Sequence, residues 1–216
     1  MTERAELEAL DLAALLCSRV CHDIISPVGA IINGLEVLDE DNSEDMREFA
    51  FGLIRRSADQ ASAKLQFARL AFGAAGSAGA EIDLGDAEKV ARGYMQGEKA
   101  EFSWESPRVL MPKNLVKLIL NLVLLAAAAI PRGGSIKVTV EGEPHRPRFM
   151  LRSTGTSARV PPAFEKLVPG DIEGALVDAQ SVQAYYTGAL ARASRMIVAA
   201  VLEGEDVVIT AHPVSV

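Results

Sequence analysis

The stretch LAALLCSRVCHDIISPVGAIINGLEVL, residues 12–38, decides how this chain is read. Its apolar residues Leu12, Leu16, Val20, Ile24, Val28, Ile31, Leu35 and Leu38 recur at steps of four, four, four, four, three, four and three. That spacing keeps them on one side of an α-helix, so residues 5–38 are expected to form one long helix with a nearly continuous apolar stripe. Pro27 lies inside it without the backbone N–H that a helix interior uses, and a local kink is expected there. The run Asp39-Glu40-Asp41-Asn42-Ser43 ends the helix as a solvated turn. Ser43 or a residue just before it can cap a second helix, with Glu44 and Asp45 in its first turn. That helix is expected to reach about Phe72, carrying Met46, Phe49, Leu53, Ile54, Ala61, Leu65, Ala68 and Phe72. Two long helices joined by a short turn form an antiparallel hairpin. A lone hairpin cannot cover both apolar faces, so pairing with a second copy into a four-helix bundle is expected.

Beyond the hairpin the pattern changes. Gly73-Ala74-Ala75-Gly76-Ser77-Ala78-Gly79 reads as a flexible linker and the domain boundary, dividing residues 1–73 from residues 80–216. After it come a short strand at Ile82–Leu84, a helix at Asp86–Met95, and a strand on which Phe102 and Trp104 alternate with polar residues. An apolar helix over Pro112–Ala129 should lie against a sheet. Strands at Ile136–Val140 and Phe149–Ser153, a loop over residues 154–174, a helix at Asp178–Ser194 and a closing pair, Met196–Leu202 and Val207–Ala211, complete the chain. The fold class expected is α+β: a helical hairpin, then an α/β sandwich with a mixed sheet and helices on one face.

Composition sets outer limits. A chain of 216 residues, 49% hydrophobic and 24% charged, is an ordinary globular one. At that length about 70% of the unfolded surface can be buried, so neither disulfides nor a metal is needed. With 22 basic against 29 acidic side chains, the net charge of −7 argues against nucleic acid or an anionic membrane as the main partner. The longest apolar run, Leu118–Ile130, is broken by Asn121 and too short to span a bilayer. Glu3, Glu6, Glu8 and Asp11 are unlike the start of a signal peptide, and a cytoplasmic protein is expected. Cys17 and Cys21, four apart on the helix, read as small buried hydrophobes. His145, among prolines, and His212, before Pro213, read as loop residues.

His22 is different. Val20 and Ile24 of the apolar stripe lie two residues to either side, so His22 should face solvent. Its own face holds Ser18, Arg19, Ile25, Ser26, Gly29 and Asn33, mostly small residues that leave room for another protein. A neutral imidazole nitrogen is a nucleophile near neutral pH. Asp23 can accept from the other ring nitrogen and select the tautomer, and Ser26, one turn on, can order water or a phosphoryl oxygen.

The sequence His22-Asp23-Ile24-Ile25-Ser26-Pro27-Val28 resembles the phosphoacceptor box of sensor histidine kinases, placed on the first helix of a hairpin. The second domain resembles their ATP-binding domain, with losses. Asn121-Leu122-Val123-Leu124-Leu125-Ala126 tracks the asparagine box, but the Mg²⁺-holding asparagine falls on Leu125 and the following lysine on Ala128. The adenine-reading aspartate falls on Ser153, where only Gly155 of the glycine motif remains, and Thr187-Gly188-Ala189-Leu190 does not match the second glycine-rich segment. Those losses remove a metal ligand, an adenine acceptor and the backbone cradle for phosphates.

An intact acceptor helix joined to such a domain resembles the ChpT-type histidine phosphotransferases. So does Gln66-Phe67-Ala68-Arg69-Leu70-Ala71-Phe72-Gly73-Ala74 at the end of the second helix. The resemblance implies a homodimer that passes phosphoryl groups between receiver domains in a bacterial cell-cycle relay. The donor would be the receiver of a hybrid kinase (CckA-like) and the acceptors response regulators (CtrA-like, CpdR-like). It implies His22, Asp23 and Ser26 as the catalytic set, and Ser18, Arg19, Ile25, Gly29 and Asn33 as receiver contacts, with Arg55 and Arg56 as further candidates. No cofactor is expected on this chain; the Mg²⁺ would sit on the receiver. An active kinase with an unusual nucleotide site and a non-catalytic dimeric scaffold are the alternative readings.

Overall fold

The fold is a computed structural model describing residues 7–40, 43–73, 80–170 and 177–215. Helix α1 (Ala9–Glu40) and helix α2 (Glu44–Ala71) form the expected hairpin. Ser43 takes the N-cap position of α2 with extended backbone, and its carbonyl accepts from Arg47. The expected start of α1 before residue 7 and most of the linker, residues 74–79, lie outside the described residues. α1 continues through Pro27, which is buried.

The single stripe expected on α1 is two stripes. One, from Leu12, Leu16, Val20 and Ile24 through Pro27, Ile31 and Gly34 to Leu38, is half-buried or buried in the chain. The other carries Leu10, Cys17, Cys21, Val28, Ile32 and Leu35, and it is exposed. Val28 and Leu35 thus fall outside the packed side, and the cysteines are exposed instead of buried. The cause is the helix crossing. At Gly34 the helices approach so closely that a Cβ would lie 2.6 Å from Ile54 Cγ1 and 3.3 Å from the Ala50 carbonyl oxygen. That contact turns the Pro27–Gly34 side inward and the neighbouring row outward. α1 is also, by length and composition, apolar enough to cross a membrane. Here it is one wall of the hairpin, with Arg19, His22 and Asp23 along it.

The second domain has seven strands and four helices among the described residues. Strand β1 (Glu81–Asp83) pairs antiparallel with β3 (Leu110–Pro112), a strand the sequence reading did not anticipate. Helix α3 (Leu84–Met95) begins at the Asp83 cap, whose carboxylate accepts from Gly85 N at 2.6 Å. Strands β2 (Ala100–Glu105), β4 (Gly134–Glu143), β5 (Arg146–Thr154), β7 (Asp206–Pro213) and β6 (Met196–Glu203) make the main sheet in that spatial order. β2 is parallel to β4 and the other pairings are antiparallel. Helix α5 (Pro162–Leu167) lies in the region expected to be loop. Helix α6 (Val182–Ala193) starts four residues later than expected. His212 stands opposite Ile197 on β7 and is a strand residue, not a loop residue; His145 is in the β4–β5 turn.

Helix α4 (Lys113–Ala129) is apolar almost all round because it is covered on every side: by the sheet, by α3 and α6, and by the end of α2. Ile136, Val138, Phe149, Leu151, Val207 and Ile209 point from the sheet into this core, which also takes Phe67 and Ala71 of the hairpin. Each large side chain removed from water there contributes about 1.5–3 kcal/mol. The hairpin and the second domain therefore share one core.

Candidate functional site

The site begins with α1 geometry. His22 projects into solvent with 68% of its side chain exposed, as its place beside the apolar stripe requires. Ile25 is 71% exposed, and Ser18, Ser26 and Asn33 are exposed with it, while Gly29 is half-buried. These residues form one strip on α1. Arg55 and Arg56 are exposed on α2; since Gly34 packs on Ala50 and Ile54, they sit level with the Asn33 end of that strip, well along the helix from His22.

Beside His22, Asp23 is placed with its carboxylate split between two neighbours. Its Oδ1 lies 3.6 Å from His22 Nδ1. Its Oδ2 accepts from Arg19 Nε at 3.1 Å, one turn back. An isolated pair at this spacing contributes only about 0.3–0.5 kcal/mol, so its value is geometric more than stabilising. Arg19 departs from expectation: its side chain is 19% exposed, turned away from the open strip and toward the second domain. Its Nη1 donates to the Gln180 carbonyl at 3.5 Å, and the guanidinium lies near enough to the Tyr94 hydroxyl to interact with it.

Tyr94 comes from α3; it and Gln180 lie over seventy residues from His22, beyond the reach of any local pattern. It is held by burial, by a ring contact with Phe67 at 4.5 Å and by the Lys64 ammonium 5.8 Å over its ring. A ring pair of this kind contributes about 0.5–1.5 kcal/mol. Burial pushes the Tyr94 hydroxyl well above its usual range, with the charges of Asp23 and Glu98 adding to it, so it stays protonated. Gln180 is held by Asp178, whose Oδ1 accepts from Gln180 N at 3.0 Å, Ser181 N at 2.7 Å and Ser181 Oγ at 2.7 Å. Those bonds, led by the ones from Ser181, keep the Asp178 carboxyl below the usual carboxylate range.

The positions aligned with a nucleotide site have other work. Asn121 is fully buried; its Nδ2 donates to the Ala71 carbonyl at 3.1 Å and to the Lys117 carbonyl at 2.7 Å, and its Oδ1 accepts from Gln183 Nε2 at 2.5 Å. Leu125 is buried and offers no oxygen. Ser153 is buried with its Oγ donating to the Ala126 carbonyl at 3.0 Å. A Cβ on Gly188 would run into the Val168 carbonyl, so that glycine lets a helix approach a neighbouring backbone. These residues do not fit a magnesium nucleotide.

Residues 84–206 match the family model of the histidine phosphotransferase C-terminal domain. Over 206 residues the chain is 55% identical to the protein phosphotransferase ChpT of Brucella abortus (strain 2308), covering 95% of this chain and 97% of that one. The chain belongs to the histidine phosphotransferase family. Its fold agrees: a solved bacterial phosphotransferase matches with a TM-score of 0.88 and 52% identity, over 97% of this chain and 99% of that one. As a histidine phosphotransferase, the chain is a transferase of a phosphorelay, with a helical hairpin joined to an α/β sandwich.

Proposed function

We propose that His22 is the phosphoryl acceptor and donor of this phosphotransferase, working between aspartates of two receiver domains without drawing on nucleotide. The observation that carries this is the exposed imidazole with Asp23 Oδ1 3.6 Å from Nδ1, which leaves Nε2 directed to solvent. In the forward step the Nε2 lone pair attacks phosphorus of an aspartyl phosphate. The N–P bond forms, the P–O bond to the aspartate breaks, and its electron pair leaves on the carboxylate. The proton on Nδ1 stays in place, and Asp23 balances the positive charge that the ring acquires. The second transfer reverses these events onto another receiver. Ser26, one turn away and exposed, orders water or a phosphoryl oxygen. Ser18, Ile25, Gly29 and Asn33 form the receiver contact; Arg19 is withdrawn from it.

Residues 1–73 serve as the dimerisation and phosphotransfer unit and residues 80–216 as the degenerate ATPase-like domain. The exposed row Leu10, Cys17, Cys21, Val28, Ile32 and Leu35 supports a homodimer, since a second hairpin covers such a face in a four-helix bundle. The internal use of Asn121, Leu125 and Ser153 supports transfer without ATP or a metal on this chain, the Mg²⁺ belonging to the receiver. The family resemblance favours a CckA-like donor receiver, CtrA-like and CpdR-like acceptors, and a cytoplasmic setting in cell-cycle control.

The test is incubation with a receiver domain carrying labelled aspartyl phosphate. Label is expected to move to the unsubstituted chain and not to His22→Ala. Equal uptake by His22→Ala overturns the assignment, and labelling of His22 by ATP alone makes the chain a kinase instead.

A further inference from the structure

The two oxygens of Asp23 do different things, and the difference traces back to the second domain. Arg19 engages Oδ2 through Nε, at the side of the guanidinium, leaving Oδ1 for His22. The terminal guanidinium nitrogens thereby remain for other groups, and the second domain supplies them: the Gln180 carbonyl accepts from Nη1 at 3.5 Å, and the Tyr94 hydroxyl lies within interaction range. Neither group is free to drift. Tyr94 is locked between Phe67 and Lys64, and Gln180 is fixed by the Asp178 carboxylate. An arginine serving mainly to grip a receiver would project beside His22, whereas this side chain is only 19% exposed and bonds the second domain at Gln180.

We propose that Arg19 and Tyr94 are positioning residues for phosphoryl transfer: the second domain fixes Arg19, Arg19 fixes Asp23, and Asp23 holds the His22 tautomer in which Nε2 carries the lone pair. This rests on His22 being the acceptor. It gives the second domain a task that does not need nucleotide. A carboxylate free to rotate would face Nδ1 only part of the time, and the ring would populate the tautomer with its proton on Nε2, which cannot attack phosphorus.

The decisive variants are Tyr94→Phe, which keeps the ring and its packing but removes the hydroxyl, and Arg19→Gln. Two readouts are needed on the full chain. Nitrogen-15 NMR of the free protein, at a pH of about 8.5 where imidazole is neutral, gives the His22 tautomer ratio without any receiver. Single-turnover transfer from a receiver domain charged with acetyl phosphate separates the rate at saturation from the half-saturating concentration. Tyr94→Phe is expected to raise the Nε2–H fraction and slow the saturated rate about threefold, and Arg19→Gln about tenfold, both with half-saturation unchanged. Arg19→Lys should recover only part of the rate, because one ammonium cannot copy the guanidinium fork. An unchanged tautomer ratio in Tyr94→Phe overturns the proposal, as does a loss confined to half-saturation, which would make Arg19 a receiver contact. Should Arg19→Gln fail to fold, the Tyr94→Phe ratio decides alone. Label uptake by His22→Ala would instead defeat the assignment of the acceptor itself.

Discussion

Asp23 shows how much chemistry one side chain adds to an exposed imidazole. Without it, His22 would be a surface histidine; with Oδ1 at 3.6 Å, the ring has a carboxylate beside Nδ1. Asp23→Asn keeps the shape and removes the charge. It is expected to lower the saturated transfer rate about 10²-fold while leaving receiver affinity within about twofold, measured by single-turnover transfer and by calorimetric titration with the receiver. The His22–Val28 motif made this pair legible in the sequence, because neighbours on a helix have fixed relative directions. Arg19 was legible only as a face residue. Which way a long flexible side chain turns depends on acceptors that the local sequence does not contain, here Tyr94 and Gln180.

At the scale of elements, the α1–α2 crossing sets which side of α1 packs inward. Gly34 is a point of close approach, where an added Cβ would meet the Ile54 side chain at 2.6 Å and the Ala50 carbonyl oxygen at 3.3 Å. Gly34→Val is expected to cost about 1–3 kcal/mol by overpacking, read as a lower denaturation midpoint with an unchanged slope. If stability is unaffected, the crossing is looser than the geometry states. Both helices, and most strands of the second domain, follow from periodicity and turn residues. Strand β3 and helix α5 do not: the first is three residues long and the second six, too short for any period to show. The start of α6 was misplaced because Asp178 and Ser181 look like helix-starting residues but instead close a turn of their own.

At the scale of the whole molecule, two features stand out: the joint between the hairpin and the second domain, and an uncovered apolar row on α1. Asn121 ties the Ala71 carbonyl at the end of α2 to Gln183 on α6, and the core runs without a break from Phe67 into α4. The other feature is the exposed row on α1. Ile32→Glu places a charge in its middle and is expected to convert the proposed dimer to a monomer in light scattering, with the circular dichroism of the helices retained. A dimer that survives this change would move the contact off that row. The expected four-helix bundle needs an apolar face left uncovered by the hairpin, and with Pro27 and Gly34 turned to α2 the exposed row that bears both cysteines is such a face.

What the amino-acid sequence determined by itself was everything governed by short-range repetition: the hairpin, the solvent-facing histidine with its acid, and the loss of the aspartate and asparagine that a nucleotide would need. Helical and strand periods are local, and an absent functional group is absent in any fold. Only the tertiary structure decided which apolar row packs inward, where the Arg19 guanidinium goes, and that a tyrosine seventy-two residues beyond His22 lies near that guanidinium. Those are contacts between distant segments, set by close packing at a helix crossing and by which polar groups lie within bonding reach once the core has formed.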